Sequence, residues 1–351
     1  MNGSTVNERP EYARHPGHAT PQHSESGAEP GSRLVALLGM PRSGTTWVAK
    51  LMDSHPDVAY RHEPESGGRL AHLPQLMEQD APGAQVDALR RFGESLWNCR
   101  DPRVCGKTPL FRKHHLGGVR HLALSLGVLA SKAPMRAVRR MPLPYFPDYS
   151  VGSPVLVWKS VVSSARLPAL LQALPEARPV LLLRHPCGQV GSVLRGENAQ
   201  YFGGGYQPSE DDGVFEAMMG GTVATEHGLS MEYVRGLGAA ERLAWLWVLF
   251  NETAYRAAVQ DPRCLVVRYE DVCAEPEAKA EELLSWCGLS MHAQSRAFVR
   301  ESTGGDASGY YGVYRDPLKA AEKWREELPA ETVDTVRDIV QRARVGSLYD
   351  F

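Results

Sequence analysis

Between Gly39 and Thr46 the chain reads Gly-Met-Pro-Arg-Ser-Gly-Thr-Thr. Those residues are the parts of an anion cradle. Gly39 and Gly44 permit positive φ and a close approach of ligand to backbone. A strand before such a loop and a helix after it aim unpaired N–H groups and the positive helix end at one anion. The Gly-x-x-x-x-Gly spacing is that of a phosphate-binding loop. Thr45 stands where such loops carry lysine, however, and the cation comes earlier, at Arg42. A tight turn alone would need neither that arginine nor the hydroxyls of Ser43, Thr45 and Thr46.

A second anion group lies downstream. Arg184 follows an apolar run, and Ser192 comes eight residues later in a segment with helical character. An arginine at a strand end and a serine in the next helix can converge on one phosphate, the guanidinium as a bidentate fork. A surface ion pair would explain Arg184 alone but not the pair.

The elements that must position these groups alternate. Leu34–Leu38, Pro154–Trp158, Pro179–Leu183 and Cys264–Arg268 are short apolar runs that predict strands buried on both faces. Helices are predicted over Trp47–Ser54, near Leu167–Leu174, near Cys187–Arg195 and over Glu275–Trp286. Strand–helix alternation implies an α/β fold, a P-loop-type parallel sheet flanked by helices. Residues 1–32, polar and rich in Pro, Gly, Ser and His, read as a disordered leader, and 33–351 as one domain. Residues 64–150 and 196–238 break the alternation and predict mainly helical insertions at the rim of the sheet. They carry Trp97, Phe111, Tyr145, Phe146, Tyr201, Phe202 and Tyr206, which suit an acceptor pocket at the carboxyl ends of the strands. The helix Glu241–Val259, with Trp245 and Trp247, reads as core packing.

Bulk properties narrow the partners. A net charge of −2 gives no basic field for nucleic acid or an anionic membrane. The leader lacks the apolar segment of a signal peptide, and no run reaches the roughly 18 apolar residues of a membrane span. None of the six cysteines forms a Cys-x-x-Cys pair, so reduced, mostly structural thiols in a cytoplasmic protein are expected. Abundant Ala, Gly and Arg suit a GC-rich bacterial genome.

Pro41-Arg-Ser-Gly-Thr-Thr-Trp47 resembles the 5′-phosphosulfate loop of the family of sulfotransferases that use 3′-phosphoadenosine 5′-phosphosulfate (PAPS). The resemblance implies that Arg42 contacts the sulfate and the bridging oxygen, that Ser43, Gly44, Thr45 and Thr46 hold the 5′-phosphate, and that Trp47 lies near the adenine. Arg184-His-Pro with Ser192 resembles the family's 3′-phosphate motif, which implies that both hold the ribose 3′-phosphate. Val267-Arg-Tyr-Glu-Asp271 is similar to a family strand whose tyrosine, here Tyr269, lies near the adenine. Lys323-Trp-Arg325 resembles a C-terminal segment that folds over the nucleotide, without the glycine that often precedes it. Trp158-Lys-Ser160 and Gly106-Lys-Thr-Pro109 are further similarities, with Lys159 and Lys107 as lining or solvated residues. Together these matches cover about 34–63, 154–195 and 262–326.

Transfer to a hydroxyl needs a general base. The segment Asp53 to Pro64 is similar to one in bacterial and protein-tyrosine sulfotransferases, which implies Glu63 as the base. His62 is the local rival, and His114, His115 and His121 are weaker candidates better explained as surface or core residues. His55, before Pro56, reads as structural. The implied reaction is in-line attack of a hydroxyl or amine of a small metabolite or lipid-like alcohol on sulfur, with PAP as the product. A sulfuryl group carries less charge than a terminal phosphoryl group, so this chemistry requires no metal. Two alternatives stay open: a P-loop kinase or nucleotidase using Glu270 and Asp271 for magnesium, and a nucleotide-binding protein without catalysis.

Overall fold

The apolar runs become the middle of a parallel sheet. In the computed structural model, β1 (Leu34–Leu38), β2 (Val58–His62), β3 (Val155–Ser160), β4 (Val180–Leu183) and β5 (Leu265–Arg268) lie in the order β2-β3-β1-β4-β5, each pair parallel. The structure describes residues 34–66, 68–131, 154–304 and 316–351. The leader at 1–32 and the Pro-broken stretch at 141–148, with Tyr145 and Phe146, lie outside the described residues.

The runs are apolar throughout because both faces of the sheet are covered. Leu34, Ala36 and Leu38 of β1, with Leu156 and Trp158 of β3, join one core. Val35 and Leu37, with Val155 and Val157, join the core on the other face. That is the two-residue alternation of a strand, hidden in the sequence because neither face is polar. Trp245 and Trp247 are buried within the helix Ala239–Gln260, as core packing predicted.

β2 is the strand that the sequence pattern did not predict. Its residues, Val58-Ala-Tyr-Arg-His62, carry a cation and so lack the unbroken apolar run of the other strands, and β2 lies at the edge of the sheet. Arg61 is nevertheless buried. Its Nε donates to the Leu96 carbonyl at 2.7 Å, Nη1 to that of Tyr60 at 3.0 Å and Nη2 to that of Trp97 at 3.3 Å. Carbonyls from the first insertion thus satisfy the charge and hold the strand.

Among the described residues the insertions are largely helical, as expected. The first holds α2 (Gly83–Ser95), α3 (Pro102–Cys105) and α4 (Gly118–Ser131), after α1 (Thr45–Asp53). The second holds short helices at Asp212–Met218, Thr222–Glu226 and Met231–Arg235. Their aromatic residues do not gather on one face. Trp97 and Phe202 pack against one core, Phe111 against the other, and Tyr201 and Tyr206 are exposed. Among the described residues no helix is long and apolar enough to cross a membrane.

Candidate active site

The loop, Glu63, Arg184 and Tyr269 all fall at the carboxyl edge of the sheet. The loop Gly39–Gly44 follows β1, Glu63 follows β2, Arg184 follows β4 and Tyr269 follows β5. β1 is connected outward to β2 on one side, while the later strands proceed across it to the other, so a crevice opens beside its end. Gly39 N–H bonds the Ser160 carbonyl at 3.3 Å, and Glu63 N–H bonds the Lys159 carbonyl at 2.9 Å. Loop and carboxylate therefore hang on adjacent residues of β3, from opposite sides. Two strand spacings separate them, about 10 Å, which leaves room for a group in transit.

The loop is shaped by its backbone. Gly44 caps α1 at φ 89° and ψ 4°, with no side-chain cap. Arg42 also has positive φ, 71°. For a non-glycine residue this costs about 1–3 kcal/mol and is typical of ligand clamps. Ser43 turns inward, its hydroxyl donating to the Met40 carbonyl at 2.7 Å. The Gly44 carbonyl accepts the N–H groups of Trp47 and Val48 at 3.1 and 3.2 Å. The Thr45 and Thr46 N–H groups thus precede the first helical bond, the position from which a helix presents donors to an anion. A Cβ on Gly44 would sit 2.3 Å from the Tyr269 ring. Gly44→Ala is therefore expected to destabilise the fold by at least about 1–3 kcal/mol, measured by denaturant unfolding, with part of the loss recovered when Tyr269→Ala makes room.

The two anion groups meet at Arg42. Its Nε donates to Ser192 Oγ at 3.0 Å, while Arg184 Nη1 donates to the Arg42 carbonyl at 2.8 Å. Arg184 Nη2 reaches the Ala320 carbonyl at 2.8 Å, and the guanidinium lies 5.0 Å from the Tyr269 ring centroid. The Arg184 Nε–H is buried with no acceptor among the described residues. A buried, unmatched donor on a cation at a strand end fits an anionic ligand. Trp247 Nε1 holds the Arg184 carbonyl at 3.0 Å, and Gln189 Nε2 holds the Pro41 carbonyl at 3.0 Å. Neither supporting contact was legible in the motifs.

The remaining nucleotide candidates divide. Tyr269 is buried between Gly44 and Arg184 and meets Trp47 edge-on at 6.1 Å. Trp47 is itself buried, with its Nε1 on Ser302 Oγ at 3.1 Å. Lys323 is exposed and paired with Glu327 at 2.8 Å, and Arg325 lies over Trp324 at 4.4 Å. No contact among those described takes either cation to Arg42 or Arg184. Trp324, between them, stacks on His185 with centroids 4.4 Å apart and planes 15° apart. The segment reaches the site through its tryptophan, which sequence reasoning passed over.

On the other side, Glu63 has positive φ, 42°, and accepts a short hydrogen bond from Lys159 Nζ. Lys159 is fully buried, so it is a partner of Glu63 and not a solvated lysine. Burial pushes the Glu63 carboxyl up, but the charge and hydrogen bond of Lys159 outweigh it and hold the carboxyl below its ordinary value. Burial, with Lys159 adding to it, lowers His62 to about 3. The Tyr60 hydroxyl, kept protonated by burial, sits 2.8 Å from His62 Nδ1 and donates to it. A neutral His62 then carries its proton on Nε2, 4.0 Å from Glu63 Oε1. The buried carboxyl of Glu65, two residues on, is pushed up by burial. It accepts from Trp158 Nε1 at 3.1 Å and Ser163 Oγ at 2.8 Å and anchors the turn after β2. Glu65 was missed because its role depends on partners about ninety residues away.

The other histidines have structural surroundings. His55 Nδ1 accepts the Asp57 N–H at 3.1 Å, with Nε2 at 3.1 Å from the Ser290 carbonyl. His114 is exposed on Asp57 at 2.8 Å, and burial takes His115 down to about 3. His121 lies in α4, on the first insertion. The Lys107 carbonyl receives the buried Lys50 ammonium at 2.6 Å. Glu270 Oε1 accepts the His185 N–H at 2.9 Å, and Asp271 is paired with Arg268 at 2.5 Å. Among the described residues no three His, Cys, Asp or Glu side chains are grouped to hold a metal.

Comparison with known proteins places this geometry. Carbohydrate sulfotransferase 1 of Danio rerio is 32% identical over 83 residues, 22% of this chain and 20% of that protein. The chain thus matches about a fifth of the length of the first curated relatives, or less. Human carbohydrate sulfotransferase 6 is 24% identical over 350 residues, 92% of this chain and 81% of its own. Among solved structures, the sulfotransferase domain from the curacin biosynthetic pathway aligns with a TM-score of 0.46 at 14% identity, covering 91% of this chain and 99% of that domain. Residues 35–207 match the family model described as Sulfotransferase family, and that span contains Arg42, Glu63, Arg184 and Ser192.

Proposed function

We propose that the protein transfers a sulfuryl group from PAPS to a hydroxyl or amine of a small metabolite or lipid-like alcohol. The observation that carries this reading is the junction at Arg42, where the loop after β1 meets Ser192 and Arg184. Gly44 to Thr46 hold the 5′-phosphate through loop N–H groups and the threonine hydroxyls, while Ser43, whose N–H and hydroxyl both go to the Met40 carbonyl, braces the loop. Arg184 and Ser192 read the ribose 3′-phosphate, and the ring of Tyr269 lies beside the base. A sugar hydroxyl is the second acceptor reading, favoured by the likeness to carbohydrate sulfotransferase 6 along 92% of the chain.

The acceptor oxygen attacks sulfur in line as the bond from sulfur to the bridging phosphate oxygen breaks. Glu63 takes the acceptor's proton. Arg42 and the loop N–H groups stabilise the charge that develops on the leaving oxygen. Lys159 weakens Glu63 as a base but keeps it ionised and fixed. As Glu63 is neutralised, Lys159 loses its counter-charge and is drawn to the sulfuryl oxygens, so its help grows as the reaction proceeds.

The test is transfer of label from sulfur-labelled PAPS to hydroxyl acceptors in the presence of EDTA. Labelled product is expected whether or not magnesium is supplied. Magnesium-dependent phosphoryl transfer from ATP, without sulfuryl transfer, would support the kinase alternative instead. Binding of PAPS without turnover on any acceptor would support the non-catalytic one.

A further inference from the structure

We propose that Cys99 and Cys105 are a reactive thiol pair that hydroperoxides oxidise to an intramolecular disulfide. The two cysteines bracket the turn that enters α3. Cys105 Sγ donates to the Cys99 carbonyl at 3.1 Å. Arg69 Nη1 lies 3.6 Å from Cys99 Sγ, while its Nη2 is held by Asp101 Oδ2 at 2.9 Å. Asp101 caps α3 through the Arg103 N–H at 2.9 Å, so the guanidinium and the second cysteine are presented by one small, fixed turn.

The groups facing Cys99 favour the thiolate. They are Cys105 at the end of α3, the backbone at Asp101, Arg69 from the preceding loop and Arg61 from β2. The Cys105 hydrogen bond leads, burial opposes it, and the balance takes Cys99 down to about 5. Thiolates, not thiols, are the nucleophiles, and an adjacent arginine is a recognised cause of a depressed thiol. The contrast within the chain is large. Burial pushes Cys187, Cys264, Cys273 and Cys287 up to about 12. Cys99 is 9% exposed and Cys105 half-buried, and Cys264 is half-buried too, so the cation and the second thiol beside Cys99, not exposure, single out the pair.

The chemistry balances with the peroxide as oxidant. The Cys99 sulfur attacks one peroxide oxygen and the O–O bond breaks. The departing hydroxide takes a proton to become water, and Cys99 becomes a sulfenic acid. The Cys105 sulfur then attacks the Cys99 sulfur, the S–O bond breaks, and a second water leaves with the Cys105 proton. Two thiols lose two electrons, and one hydrogen peroxide becomes two waters. A dithiol reverses the bridge by exchange.

The proposal is tested on the full chain with hydrogen peroxide and peptide mass mapping. In the wild type a bridge between Cys99 and Cys105 is expected first, removable by dithiothreitol. In Cys105→Ser, Cys99 is expected to accumulate as a sulfenic acid that dimedone traps; in Cys99→Ser neither the bridge nor the adduct should form. An independent measurement on the unmutated protein is iodoacetamide labelling against pH. Cys99 is expected to label well below the ordinary thiol value of about 8.5. Oxidation of any other cysteine ahead of Cys99, or Cys99 labelling only as pH passes the ordinary value, would overturn the assignment.

Discussion

Glu63→Gln is expected to lower sulfuryl transfer by about 10²–10⁴-fold, the usual range for loss of a positioned base, with affinity for PAP unchanged. The expectation rests on where Glu63 sits, across β3 from the loop and on the buried Lys159. The acid limb of the wild-type rate should be low as well. Glu63 must be ionised to accept a proton, and its carboxyl is held below the ordinary value of about 4.3. Activity is thus present above that value and lost only as pH falls through the depressed one. An acid limb between about pH 6 and 7 would point to an ordinary histidine instead. Gln has a second effect, because it leaves Lys159 without its counter-charge. Breaking a buried pair costs up to about 3–5 kcal/mol. Burial already lowers Lys159, so its neutral form relieves the strain. A lysine depressed in the folded state destabilises as pH falls, and the gap in Tm between variant and wild type should narrow as pH rises toward about 10. A variant with near-normal turnover would remove Glu63 from the role.

Arg184→Met is the second large effect. It should reduce affinity for PAP by about 10–10²-fold, the equivalent of losing a charged hydrogen bond of roughly 1.5–3 kcal/mol. Affinity for AMP should fall less, because AMP has no 3′-phosphate to lose. A smaller common loss is expected for both, since Arg184 also holds the Arg42 carbonyl at 2.8 Å and so helps to shape the loop. Calorimetry with both nucleotides separates the two contributions. Equal losses would mean that Arg184 only braces the loop.

The parts of the molecule legible in the sequence are those whose reasons are local. β1 runs from Leu34 to Leu38 as predicted, because a strand buried on both faces leaves an unbroken apolar run. The β4 and β5 assignments hold to within a residue. Arg42, Gly44, Arg184 and Ser192 were legible because loop and strand-end chemistry sits in contiguous motifs. β2 was not, because Arg61 reads as polar until the carbonyls of Leu96 and Trp97, more than thirty residues away, are in place. Tyr269 was assigned to a strand end and instead opens the helix Tyr269–Ala274, which turns its ring toward Gly44 and Arg184. Lys159 could not be placed from its surroundings in the chain. A lysine after an apolar strand is equally solvated or buried until its partner is known, and Glu63 lies 96 residues away.

The central claim is that one crevice binds a nucleotide carrying phosphates at both its 5′ and 3′ positions. The most direct measurement is calorimetric titration of the wild-type protein with PAP and with AMP under the same conditions. PAP is expected to bind at least about tenfold more tightly, the least that one charged hydrogen bond to a 3′-phosphate supplies. Equal affinities would contradict the assignment of Arg184 and Ser192, and with it the identity of the donor.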